Sequence, residues 1–260
     1  MTASTSRALG LSIEGQGTVT ALRYEAPSGR AEAPVLVLAH GAGAGQRSPF
    51  MVAMAGALAA RSVTVITFDF PYMQAGRRAP DRQPVLEAAW RAVIRALAAS
   101  GHAHAGQVVI GGKSMGGRIA SHVLSGTAGE AGDSRLAGDA VSTDAPEAAI
   151  VPLVAGLVLL GYPLHPPGDR ARLRVAHLPL LRTPTLVVQG TRDEFGTADE
   201  VRRAFSVVPA PVEWLVIDGA NHSFKVPKGA PRSNAEAFED IADAVARFVH
   251  SLANTREGTR

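Results

Sequence analysis

The 260 residues carry a formal charge of only +3 and 46% hydrophobic side chains, enough for a sizeable core in one large α/β domain or two small ones. The absence of cysteine excludes disulfides, thiolate nucleophiles and Cys-ligated zinc. There is no basic tract to suit nucleic acid, and no apolar run of signal-peptide or transmembrane length, so a soluble cytoplasmic protein without a membrane partner is expected.

From the N-terminus, the pattern predicts a hairpin over 8–25 with Glu14-Gly15-Gln16-Gly17 as its turn. Strands follow at 34–39, 63–69, 107–111, 154–161, 184–189 and 212–217. Between and after them, helices are expected at 49–61, 84–99, 115–125, 197–206 and 233–252. In the last helix Phe238, Ile241, Ala242, Val245, Phe248 and Val249 recur at helical spacing behind a Ser233-Asn234 cap. Strands alternating with helices imply a mostly parallel, doubly wound α/β sheet with an antiparallel hairpin at its start. Residues 126–149 are small and polar and read as a mobile surface loop; 253–260 read as a disordered tail of the same single domain.

The stretch QVVIGGKSMGG (107–117) poses a choice of chemistry. Gly112-Lys113-Ser114 could end a phosphate-binding loop, but that loop needs glycine where Gln107 stands. Its middle would also be Val108-Val109-Ile110, a β-branched run suited to a buried strand. The same letters contain Gly112-Lys113-Ser114-Met115-Gly116, a G-x-S-x-G turn between a strand and a helix, which exposes the serine as a nucleophile.

A serine nucleophile needs a base to take its proton and an acid to orient that base. Asp193 follows the strand PTLVVQ and His222 follows VEWLVI, so both stand at strand ends on the edge where Ser114 would lie. Glu194 is the alternative acid. His165 and His177 sit on the wrong segments for the base, as does His40, which is instead grouped with the substrate contacts. The developing oxyanion would meet the N–H of Met115 and one from His40-Gly41-Ala42-Gly43-Ala44-Gly45, from Ala42 or, failing that, Gly43. That loop is no dinucleotide fingerprint, because Gln46 and Ser48 replace the third glycine.

With these features in order, the chain resembles the α/β-hydrolase superfamily. Within it, the likeness is to the small, lidless, dienelactone-hydrolase-like group related to testis-expressed α/β-hydrolase proteins. HGAGAG (40–45), FDFPY (68–72), GKSMGGR (112–118), GYPLHPPG (161–168), QGTRDEFGT (189–197) and NHSFK (221–225) carry it. The resemblance implies an α/β-hydrolase fold without a cap and the triad Ser114, Asp193 and His222, with no cofactor and no metal. A shallow pocket is expected over loops 69–82 and 162–168, walled by Tyr72, Met73, Tyr162, Leu164 and Phe195. Lys113 and Lys225 are two of only three lysines, and they flank the nucleophile and the base. They read either as contacts for an anionic substrate or as structural groups paired with loop carboxylates. The expected activity is hydrolysis of an ester or thioester of a small or medium acyl group; the alternative is a non-catalytic scaffold for a ligand or protein.

Overall fold

In the computed structural model, residues 6–13, 17–26, 35–101, 107–126 and 151–257 are described. The runs VLVLA (Val35–Ala39, β3) and TVITF (Thr64–Phe68, β4) are buried at every residue, as strands covered on both faces must be. VVIGGK (Val108–Lys113, β5), VAGLVLL (Val154–Leu160, β6) and TLVVQG (Thr185–Gly190, β7) are buried along nearly their whole length. Val212–Ile217 (β8) is half-exposed, which suits an edge strand. Ser6–Ile13 (β1) and Gly17–Tyr24 (β2) form the expected hairpin.

These strands make one eight-stranded sheet in the order β1-β2-β4-β3-β5-β6-β7-β8. The hairpin joins β4 antiparallel and every other pairing is parallel. Pro49–Ala59 (α1) and Asn234–Glu257 (α6) cover one face, burying Met51, Met54, Leu58, Ile241, Val245 and Val249. Gln83–Ala99 (α3) and Met115–Ser125 (α4) cover the other with Trp90, Val93, Ile94, Ile119 and Val123. A short helix, Ala198–Ala204 (α5), adds Val201 to that second core. The chain turns in opposite directions from β3 to reach β4 and β5, and ligands bind at such a switch point, outside the carboxyl ends of the strands.

The doubly wound architecture with its N-terminal hairpin is therefore as expected, and no inserted domain separates β6 from β7. Three details differ. Pro71–Gln74 forms a one-turn helix (α2) inside the segment read as loop, with proline at the helix start. The first helix stops at Ala59 because Ser62 adopts a positive φ of 63° to lead into β4. The last helix continues through five residues assigned to the tail, since Ala253 to Glu257 contain no Gly or Pro and the stop signal, Gly258, comes only afterwards. The hairpin turn at 14–16, residues 127–149 of the predicted loop and 258–260 lie outside the described residues. No described helix is long and apolar enough to cross a membrane.

Candidate active site

Ser114 follows β5 directly and precedes α4, at φ 52° and ψ −116°, a conformation costly for a residue with a side chain. Its N–H donates to the Leu160 carbonyl at 2.9 Å, while the Arg118 N–H returns to the Ser114 carbonyl at 3.0 Å. The flanking glycines are required by close packing. A Cβ on Gly112 would lie 2.4 Å from the Ala39 carbonyl oxygen, and one on Gly116 would lie 2.5 Å from the same atom. The Trp90 indole N–H, on α3, donates to the Gly116 carbonyl at 3.2 Å and fixes the turn from the outside.

His222 lies beyond β8 and Asp193 beyond β7. The imidazole Nε2 is 2.8 Å from the Ser114 Oγ, and its Nδ1 is 2.8 Å from Asp193 Oδ2. The serine hydroxyl can donate to Nε2 only if the ring carries its proton on Nδ1, which then donates to the carboxylate. Asp193 is buried, and its other contacts hold it still: Gln189 Nε2 donates to Oδ2 at 2.9 Å and the Phe195 N–H to Oδ1 at 2.8 Å. Glu194 does not reach the ring; it accepts the His222 backbone N–H at 3.2 Å. Burial would raise the Glu194 pKa, but hydrogen bonds from its own and the His222 N–H, with His222 and Lys113 nearby, hold it below the usual range.

The His222 loop is tied by side chains. Asn221 Oδ1 accepts the N–H groups of Ser223 and Lys225, each at 3.0 Å. Lys113 Nζ donates to the His222 carbonyl at 2.6 Å and sits over the Phe224 ring, 5.1 Å from its centre. Burial lowers the Lys113 pKa to about 8, opposed by the negative charge of Asp193 and Glu194.

The loop after β3 is also braced from beneath. His40 is fully buried, donating from Nδ1 to the Gly41 carbonyl at 2.8 Å and accepting the Phe70 N–H on Nε2 at 3.1 Å. Burial lowers its pKa, which keeps this tautomer neutral. Buried Gln46 joins the loop to Asp69, donating its N–H to Oδ1 at 2.7 Å and its amide to Oδ2 at 3.1 Å. Ala42 and Met115 line the same cleft as Ser114, and neither backbone N–H has a hydrogen-bond partner among the described residues. Gly43, the fallback donor, does not line the cleft.

The cleft has a volume of about 550 Å³. Of the expected pocket residues, Phe195 and Lys113 line it, and the Phe195 ring lies 4.4 Å from that of His222. Tyr72, Tyr162 and Leu164 do not. They are buried beneath the site, where aromatic and apolar side chains at strand ends fill the core instead of facing solvent. The Tyr162 hydroxyl donates to the Arg174 carbonyl at 2.6 Å, and Tyr72 packs edge-on against His40. Met73 packs toward Gly45 and is likewise off the cleft, as is His40. Lys225 is exposed and contributes its backbone to the Asn221 turn, while Lys113 meets a carbonyl instead of a carboxylate. The predicted loops do reach the cleft, through Pro80, Asp81, Pro163 and Pro167.

Gln189, Asn221, Arg118 and Arg174 were not singled out from the sequence. Gln189 had a visible signal, a polar amide closing a buried apolar strand; the others take their meaning from neighbours distant in the chain. Among the described residues, no three His, Asp or Glu side chains converge as metal ligands would.

Comparison with solved structures places this fold among known hydrolases. A dienelactone hydrolase from Anabaena variabilis superposes with a TM-score of 0.65 at 17% identity, over 95% of this chain and 98% of that one. A lidless α/β serine hydrolase from Xanthomonas campestris gives 0.62 at 17% identity, over 94% and 95% of the two chains. An esterase from Thermogutta terrifontis, phosphorylated by paraoxon, gives 0.64 at 16% identity, over 96% and 95%. The likeness to lidless, dienelactone-hydrolase-like proteins thus holds for the fold. The profile of the family described as alpha/beta hydrolase domain matches residues 32–250, and the chain belongs to that family.

Proposed function

We propose that this protein is a serine hydrolase that cleaves a carboxylic ester or thioester of a small or medium acyl group through an acyl-enzyme on Ser114. The observation that carries the reading is the continuous Ser114–His222–Asp193 hydrogen-bond chain, 2.8 Å at each step, opening on a cleft with two N–H groups that have no partner among the described residues. His222 Nε2 takes the hydroxyl proton as Ser114 Oγ bonds to the substrate carbonyl carbon. The Asp193 carboxylate stabilises the resulting imidazolium, and the Met115 and Ala42 N–H groups receive the oxyanion. Collapse of the tetrahedral intermediate breaks the bond to the leaving alcohol or thiol, which takes the proton from His222. Water then attacks the acyl-enzyme, with the same base accepting its proton and returning it to Ser114. No group here needs to change position between the two halves.

The test is labelling with a fluorophosphonate followed by peptide mapping, beside turnover of p-nitrophenyl acetate and butyrate. Wild type should be modified at Ser114, and Ser114→Ala should lose on the order of 10⁴-fold in turnover with its melting temperature nearly unchanged. Label on another residue, or more than a tenth of wild-type activity in the variant, refutes the nucleophile.

A further inference from the structure

Three cationic side chains line the cleft beside Ser114, namely Lys113, Arg118 and Arg174, against one carboxylate, Asp81, among the described lining residues. Asp81 is already paired with Arg77 at 2.7 Å, and Lys113 is bonded to the His222 carbonyl. The two arginines are different. Arg118 follows Ser114 by one turn of α4, which puts both on the same face of the helix start. Its Nη1 donates to Gln83 Oε1 at 2.9 Å, an uncharged acceptor, and its Nε is buried without a hydrogen-bond partner. Among the described residues, the Arg174 guanidinium donates to the carbonyls of Pro163 and His165, at 3.4 and 3.5 Å. Neither guanidinium lies in an ion pair with a carboxylate among the described residues, and both flank buried Tyr162 closely enough to interact with it electrostatically. Burial lowers the pKa of both, and the charge of Arg118 adds to the lowering at Arg174. Glu87, which accepts from Gln83 Nε2 at 2.9 Å, attracts Arg118 through space, but it stands one hydrogen bond removed from the guanidinium. Two like charges largely withdrawn from water beside a nucleophile, neither bonded to a carboxylate among the described residues, form a receptor for an anion. A planar guanidinium pair suits a carboxylate in particular.

We infer that Arg118 and Arg174 form a carboxylate-binding subsite, so the substrate is an ester or thioester that carries a carboxylate within a few bonds of its scissile carbonyl. This inference rests on the hydrolase reading for the word substrate, but its test does not need turnover. Full-length Ser114→Ala is titrated calorimetrically with monomethyl glutarate and with methyl pentanoate, a neutral ester of similar length. The anionic ester should bind at least tenfold more tightly, in keeping with a charge-assisted hydrogen bond. Its advantage should shrink as salt rises and fall below threefold when Arg174→Gln is added. Arg118→Gln should act the same way; should that variant fail to fold, Arg174→Gln carries the test alone, because its side chain is only half-buried. Equal affinity for the two esters, or an advantage unchanged by Arg174→Gln, overturns the subsite. If the subsite binds as described while wild type is neither labelled nor active on esters, the subsite stands and the hydrolase reading falls.

Discussion

Ser114 is held chiefly by backbone, through its N–H on Leu160, the strained φ of 52° and two glycines whose missing Cβ atoms let α4 close on β3. His222, three strands away across the sheet, is held by side chains: Asn221 within its own loop, Lys113 from the elbow strand and Glu194 from the loop of the acid. The first kind of support is steric and tolerates almost no change. The second is a set of hydrogen bonds, each contributing about 1 kcal/mol and replaceable by degrees. A nucleophile must meet one fixed position against the oxyanion donors, whereas a base needs only to stay within reach of a proton.

The proposed acid, Asp193, offers the largest test of this contrast, because it meets the His222 ring through a single atom. Asp193→Asn should reduce turnover by about 10³–10⁴-fold, since an amide cannot hold the required tautomer. Glu194→Gln should cost less than tenfold, as it loosens only the loop. Steady-state rates for the two variants decide between them, and the reverse ranking would transfer the orienting role to Glu194.

A loop tether should give a smaller, graded loss. Asn221→Ala removes the acceptor of two N–H groups and should lower kcat/KM about tenfold. Asn221→Asp keeps that oxygen and should recover most of the difference. If alanine at this position leaves activity intact, the loop is ordered by something other than the Asn221 turn.

Lys113 should show itself least in rate and most clearly in stability against pH. Burial depresses its pKa from 10.5 to about 8 in the folded protein. Below pH 8 the folded and unfolded chains are both protonated, and the buried charge lowers stability in full. Between about pH 8 and 10.5 the unfolded chain keeps a proton that the folded one has released, so stability rises with pH. The slope is at most about 1.4 kcal/mol per pH unit. Urea unfolding of wild type and Lys113→Met across that range should therefore show the difference moving in favour of wild type. A constant difference would mean that the ammonium is not buried in the tether.

The sequence was most legible where the constraint is local. Strands β3 to β7 announce themselves as apolar runs because both their faces are covered, and the elbow is visible because two glycines at fixed spacing answer one steric demand. That Asp193 and His222 would stand near Ser114 was legible because chain order maps onto strand order in this fold, so the end of a late strand predicts a position on the sheet. The pocket wall could not be found that way. Tyr72, Tyr162 and Leu164 belong to the loops that reach the site, yet a buried core draws such side chains inward, and Pro80, Pro163 and Pro167 face the cleft in their place. The lysines were ambiguous for a similar reason. Lys113 meets a carbonyl 109 residues away, a contact that exists only once β5 and the His222 loop are brought together. The strand ladder, the strained turn and the chain order of Ser114, Asp193 and His222 at strand ends were thus legible in the sequence, each set by periodicity or by local steric limits. Which side chains face the cleft, and which cations lie there without a bonded carboxylate among the described residues, emerged only once the chain was folded, because burial and pairing depend on neighbours that are remote along the chain.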